Sequence, residues 1–175
     1  ALDCEIVNER DITFNYDSDR DTLKAYVLKP IIINNKALGY KITYFLDKFE
    51  YYRSAKTFIF KGSIVFNEDL TGGSAEREAF ERKRRYAYLG SRMHFFRALW
   101  KNDLEIQGFN VRNWSFDNLE YDRIVINIDG RKYFRFSENV GICYFSKTPE
   151  STVVFLRDRV YFDEKGYFDP SGISW

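Results

Sequence analysis

One histidine and two cysteines in 175 residues leave little from which to build a catalytic or metal centre. A zinc site needs about four Cys, His or carboxylate ligands at characteristic spacings, and His94 with the distant Cys4 and Cys143 forms no such set. No Ser- or Cys-centred motif accompanies His94. It reads as a residue at a helix start that packs on an aromatic face and bonds to backbone. Two cysteines are too few for a disulfide scaffold. They stand either as two thiols packed like small apolar residues or as a single bridge. An excess of charge is missing too. Lys and Arg total 27 against 26 Asp and Glu, a net charge of +1, whereas proteins that grip phosphate backbones show a clear basic surplus. Nucleic acid is therefore disfavoured as a partner. No run approaches the ~20 apolar residues of a membrane-spanning helix. The chain opens Ala-Leu-Asp with no initiating Met and no signal peptide, and is expected to be a processed or excised piece of a longer protein.

What is abundant is aromatic. Seventeen Phe and thirteen Tyr bring the aromatic share to 19%, and only one Met is present, so rings are expected to dominate the core. The size, 20.9 kDa, suits a single domain with a real core. Residues 38–46 alternate, with Leu38, Tyr40, Ile42, Tyr44 and Leu46 on one face and Lys41 and Thr43 on the other; Phe45 is the exception. That period of two marks a half-buried strand. Residues 12–16 and 23–27 flank the polar turn 17–21 and predict a hairpin. Pro30 heads a further strand, and residues 57–66 make another, with Gly62 suggesting a bulge or bend.

The sheet signal stops at Thr71-Gly72-Gly73. Ser74 then suits the cap of a helix over 75–89, with glutamates early and cations late as the helix dipole prefers. Glu78–Arg82 and Glu81–Arg85 are spaced as i,i+4 pairs. Gly90 is placed to end this helix and Ser91 to cap a second one to about Asn102, with Phe95, Phe96, Leu99 and Trp100 as its apolar stripe. Strands return after Gly108. Segments 121–128 and 133–136 flank Asp129-Gly130, a type I′ hairpin signal, and 140–145, 152–156 and 160–162 follow. The expectation is an α+β fold, mostly antiparallel sheet, with a two-helix insert near residues 75–102 packed on one face.

Chemistry is harder to find than structure. The carboxylate neighbours Asp47/Glu50, Glu68/Asp69 and Asp158/Asp163 read as solvated turn residues, because a glycosidase pair is defined by spatial separation that sequence spacing does not give. The loop 17–21 has the acidic look of a calcium loop but lacks its central Gly and terminal Glu. Two groups remain as binding candidates. One is the cationic run Arg82, Lys83, Arg84 and Arg85, with Arg92 and Arg97 nearby, suited to anionic headgroups or an acidic partner but sharing its helix with three glutamates, as a solvated face would. The other is a possible sugar-stacking platform among Tyr51, Tyr52, Trp100, Trp114 and Trp175, of which core packing claims most.

Several segments in order carry a family resemblance: Cys4–Asn8, Lys29–Ile32, NKALGYKITYFLDKFEY at 35–51, RRYAYLGSRMHFFRALWKNDL at 84–104 with Gly108-Phe109, and GYFDPSGISW at 166–175. Together they resemble the conserved region of Bacteroidetes surface proteins of the carboxypeptidase-regulatory-like group, downstream of that group's small β-sandwich. The resemblance implies an extracytoplasmic location, at the periplasm or cell surface, and a β-rich fold with a helical insert. It implies no carboxypeptidase activity, no cofactor and no catalytic residue. On this reading the chain is a non-catalytic interaction or scaffold module of the cell envelope, with a protein or glycan as partner. The alternative is a carbohydrate- or peptide-binding module using exposed rings, and the third reading is a carboxylate-based hydrolase.

Overall fold

A computed structural model of the protein describes residues 3–175. The chain parts into two compact units, Ala1–Arg85 and Tyr86–Trp175. The α+β class, mostly antiparallel with a helix pair between the two runs of strands, is the one the sequence pattern predicts.

The first unit is a six-stranded antiparallel sheet: β1 (Cys4–Ile6), β2 (Thr13–Asp17), β3 (Thr22–Tyr26), β4 (Ile31–Asn35), β5 (Tyr40–Tyr52) and β6 (Thr57–Glu68). β5 is the spine. Its first half pairs with β4, which carries β1, and its second half with β3, which carries β2; β6 runs along its other side. The expected 12–16/23–27 hairpin is β2–β3.

Register sorts the side chains sharply, because directly opposed residues share a face. Tyr44 opposes Ile31 and Ile64, Ile42 opposes Ile33 and Phe66, Phe49 opposes Ala25 and Phe60, and Tyr51 opposes Leu23 and Phe58. All lie on one face. The opposite face carries Lys24, Lys41, Thr43, Glu50 and Lys61 together with Ile32, Phe45, Ile59 and Val65. A bulge does occur near Gly62, but in the partner strand: Leu46 opposes Gly62 and Lys48 opposes Lys61, leaving Asp47 as the extra residue. Gly62 itself is a seat for a ring. A Cβ there would lie 2.3 Å from the Tyr44 hydroxyl and 2.3 Å from the Phe45 carbonyl oxygen, and the Tyr44 ring stacks on neighbouring Phe60 at 4.9 Å.

Helix α1 (Ser74–Tyr88) follows and buries no residue. Within the first unit Phe80 lies across Gly39, whose Cβ would sit 2.3 Å from the ring. The expected Glu78–Arg82 and Glu81–Arg85 pairs are not among the ion pairs of the described residues; Arg84 pairs with Glu68.

In the second unit the helices break where Gly and Ser predict. Gly90 has φ +78, and the Ser91 hydroxyl accepts from the His94 backbone N–H at the start of α2 (Arg92–Lys101). Asn102 closes it in the left-handed conformation. Two sheets surround this helix's apolar residues. One holds β7 (Phe109–Arg112), β10 (Val140–Tyr144), β11 (Ser151–Phe155) and β13 (Ile173–Ser174); the other holds β8 (Val125–Ile128), β9 (Arg131–Phe134) and β12 (Val160–Phe162). Phe95, Phe96 and Leu99 are fully buried, while Trp100 is only partly so. Phe95 meets Phe109, Phe134 and Trp175, and Phe96 meets Phe134, Phe162 and Phe168. Asp129 and Gly130 both take positive φ, as a type I′ turn requires. Tyr121–Ile124, expected as the start of a strand, is a helical turn, α3, before β8. Its Ile124 is fully buried, while Asp122 and Arg123 stay exposed.

Removing the Phe96 ring should cost about 3–5 kcal/mol, because the cavity would lie among the rings of Phe134, Phe162, Phe168 and Trp175. The denaturant midpoint of Phe96→Ala is the measurement. Gly90→Ala should cost about 1 kcal/mol or more through its left-handed φ, with the Tyr144 ring only 2.9 Å from the new Cβ.

Candidate functional site

The feature of the first unit that an isolated domain does not need is its apolar face. Amphipathic sheets ordinarily bury that face against a second layer. Here Phe14, Tyr16, Phe58, Phe60, Ile64 and Phe66 remain between 47% and 66% exposed on it. Only Ala25, Ile31 and Tyr44 on this face are buried among the apolar residues. The Tyr44 hydroxyl is buried without a hydrogen-bond partner, and burial pushes its ionisation upward.

Strand β6 adds a second property. Among the described residues it pairs on one side only, with β5, over twelve residues. Its other edge presents an unpaired row of backbone N–H and C=O groups. Proteins usually blunt such an edge with proline, charges, bulges or short length. β6 has no proline, its bulge lies in β5, and its interior carries the single charge Lys61.

The cationic run resolves into different roles. Arg84 is held by the sheet: Nε donates to the Leu38 carbonyl at 2.7 Å, Nη2 to the Gly39 carbonyl at 2.7 Å, and Nη1 pairs with Glu68 at 3.0 Å. Its guanidinium also lies 4.0 Å from the Tyr40 ring centre. Arg82, Lys83 and Arg85 are exposed, with Lys83 above Phe80. In the second unit Arg97 donates to the Lys165 carbonyl and lies over Tyr88.

The aromatic candidates divide similarly. Trp175 packs on Phe95 and Phe96, Trp100 meets Phe162 and Lys132, and the Tyr52 hydroxyl donates to Glu50. Trp114 is 67% exposed and has no ring contact among the described residues. His94 is 4% exposed. Its Nδ1 accepts from the Gly90 N–H at 3.1 Å, so Nε2 carries the proton and donates to Gln107 at 3.1 Å. Phe109 and Tyr144 meet the ring edge-on. Every polar atom of the imidazole is engaged in holding the helix junction.

The carboxylates are also engaged locally. Glu50 accepts from Tyr52 and pairs with Lys48, Asp69 accepts from Thr71, and Asp163 accepts the backbone N–H groups of Lys165 and Tyr167. Among the described residues no three His, Cys, Asp or Glu side chains come together as metal ligands, and no helix is long and apolar enough to cross a membrane. Cys143 is a fully buried thiol in β10, its ionisation pushed upward by burial. The open concavities are surface depressions. One of them is lined by Arg123, Arg135 and Arg157 with Asp122 and Asp158, and Arg157 already pairs with Asp169.

Sequence reading placed β6 but not its exposure. The available signal was in α1, whose first three turns hold one large apolar residue, Phe80, too little to cover a sheet. Phe116 was also missed; nothing in the sequence marks its left-handed φ of +63.

Asp21 ties two loop tips of the first unit. Its carboxylate accepts from the Ser54 and Tyr16 hydroxyls, which hold its ionisation below the ordinary carboxylate range. A lowered folded-state value stabilises the fold above the ordinary range and is lost as pH falls through it. The stability difference between the wild type and Asp21→Ala should therefore be present at neutral pH and shrink below about pH 4. Denaturant titrations at neutral and acidic pH check this.

No family model matches the sequence, and no similar curated protein or solved structure was found.

Proposed function

We propose that the chain is a non-catalytic interaction module of a larger cell-surface protein, and that it takes up an extended strand of a neighbouring polypeptide along β6. The carrying observation is the coincidence of a long unpaired edge with an exposed apolar face on the same strand. An added strand would satisfy the free backbone groups of β6 and lay every second side chain beside Phe58, Phe60, Ile64 and Phe66. This is strand addition, in which main-chain bonds give affinity and alternate side chains give specificity. The partner segment should therefore alternate apolar and polar residues. Support for the envelope location comes from the ordered sequence motifs that resemble surface proteins. Support for a non-catalytic role comes from His94, Glu50 and Asp163, each held by structural bonds.

Selection of peptides of β6's length from a random displayed library against the full chain tests the reading. The selected peptides should alternate, and Phe60→Lys combined with Ile64→Lys should weaken them at least about tenfold, or 1.4 kcal/mol, under conditions where the variant's circular dichroism shows it still folded. Peptides without alternation, or indifferent to the double variant, would overturn strand addition. Turnover in a screen of peptide, ester and glycoside substrates would overturn the non-catalytic assignment.

A further inference from the structure

We propose that the loop between β7 and α3 carries a binding site for neutral carbohydrate, with Trp114 and Phe116 as the stacking platform. The site is independent of the strand-addition surface. The loop is short and tied to itself. The Asn113 N–H donates to the Asp117 carbonyl at 3.1 Å, and the Phe116 N–H to the Asn113 carbonyl at 3.1 Å. The Asn113 side chain accepts from the Asp117 N–H at 2.9 Å and donates to its carboxylate at 3.2 Å. A bridge between Arg112 and Asn118 closes the base.

This frame holds two large rings out in water. Trp114 is 67% exposed and Phe116 60%, and neither meets another ring or a cation among the described residues. Phe116 has φ +63, a conformation unfavourable for a residue with a bulky side chain. Exposure and backbone strain thus fall on the same residue, and such outliers concentrate where a ligand is held.

The surroundings identify the ligand chemistry. The rings border a shallow cup of about 130 Å³ with Asn139, Gly141, Pro149 and Thr152. Gly141 is required there, since a Cβ would lie 2.5 Å from the Pro149 ring. None of the lining residues is charged, in a chain that is 30% charged. A phosphate, sulfate or carboxylate ligand would have no cation to meet. Asn139 and Thr152 make no side-chain hydrogen bond among the described residues, so an amide and a hydroxyl stand ready beside the rings. Both groups donate and accept, as sugar hydroxyls do. A pyranose presents a face of C–H groups to an aromatic ring and hydroxyls around its rim, which matches this arrangement. A proline-rich segment also stacks on rings, but its carbonyls only accept, and would leave the Asn139 and Thr152 oxygens without donors. The cup is smaller than pockets that enclose a whole small molecule, so it seats one sugar of a chain that continues into solvent.

Affinity electrophoresis of the full chain tests the proposal, using gels containing soluble β-1,4-glucan, β-1,3-glucan, xylan or galactomannan, with polygalacturonate as the charged control. Decaproline is titrated separately against tryptophan fluorescence. At least one neutral polysaccharide should retard the protein. Trp114→Ala and Phe116→Ala should each weaken that retardation about tenfold or more, and Asn139→Ala to a lesser degree, while the thermal midpoint of Trp114→Ala stays at the wild-type value. Absence of retardation in every neutral gel would overturn the proposal. So would equal retardation of Trp114→Ala, or binding only to polygalacturonate or decaproline.

Discussion

The second unit depends on burying Phe95 and Phe96 together. Adjacent residues on a helix point about 100° apart, so a helix that hides both must be sunk into apolar surroundings on two sides. Two separate sheets supply those sides. Phe95 reaches β7 and β9, while Phe96 reaches β9 and β12. The helix start is correspondingly exact: the Ser91 cap, the Gly90 turn and the His94 imidazole bond to one another over five residues. That accounts for the chain's one histidine in structural terms. It positions the ring pair by fixing where α2 begins.

The first unit is built on the opposite principle. Its register is as definite, yet no second layer within the unit covers the face it creates. α1 contributes Phe80 and the Arg84 clamp, both near the β4–β5 turn and the end of β6. A unit with a specified surface and no core of comparable size is understandable as one half of an interface. Burying a single large ring is worth roughly 1.5–3 kcal/mol, so several half-exposed rings on one face represent a substantial driving force for association.

Local patterns made much of the fold legible. Alternation in 40–46, the Gly90-Ser91 break and the Asp129-Gly130 turn each have a mechanism that acts within a few residues, and each appears in the structure. What was not legible depends on distant partners. The 121–124 segment, Tyr-Asp-Arg-Ile, is too short to show a period, and its one buried side chain, Ile124, packs into a core built by distant strands. Arg84 looked like its three cationic neighbours until the sheet supplied carbonyls for it. Trp114 was visible as a candidate from its residue type alone, whereas Asn139 and Thr152 join it and Phe116 only because β10 and β11 bring them beside the loop.

Asp47 gives β5 a property of phase. Before it the even-numbered residues face the apolar side, and after it the odd-numbered ones do. The strand therefore contains one more residue than its ladder can use, placed where it changes neighbours from β4 to β3. Loss of one residue at 47–48 would leave the facing of every remaining side chain intact. Loss of one anywhere else in β5 would turn a stretch of rings toward the polar side. The bulge is thus the place in the strand's interior where a deletion can be absorbed.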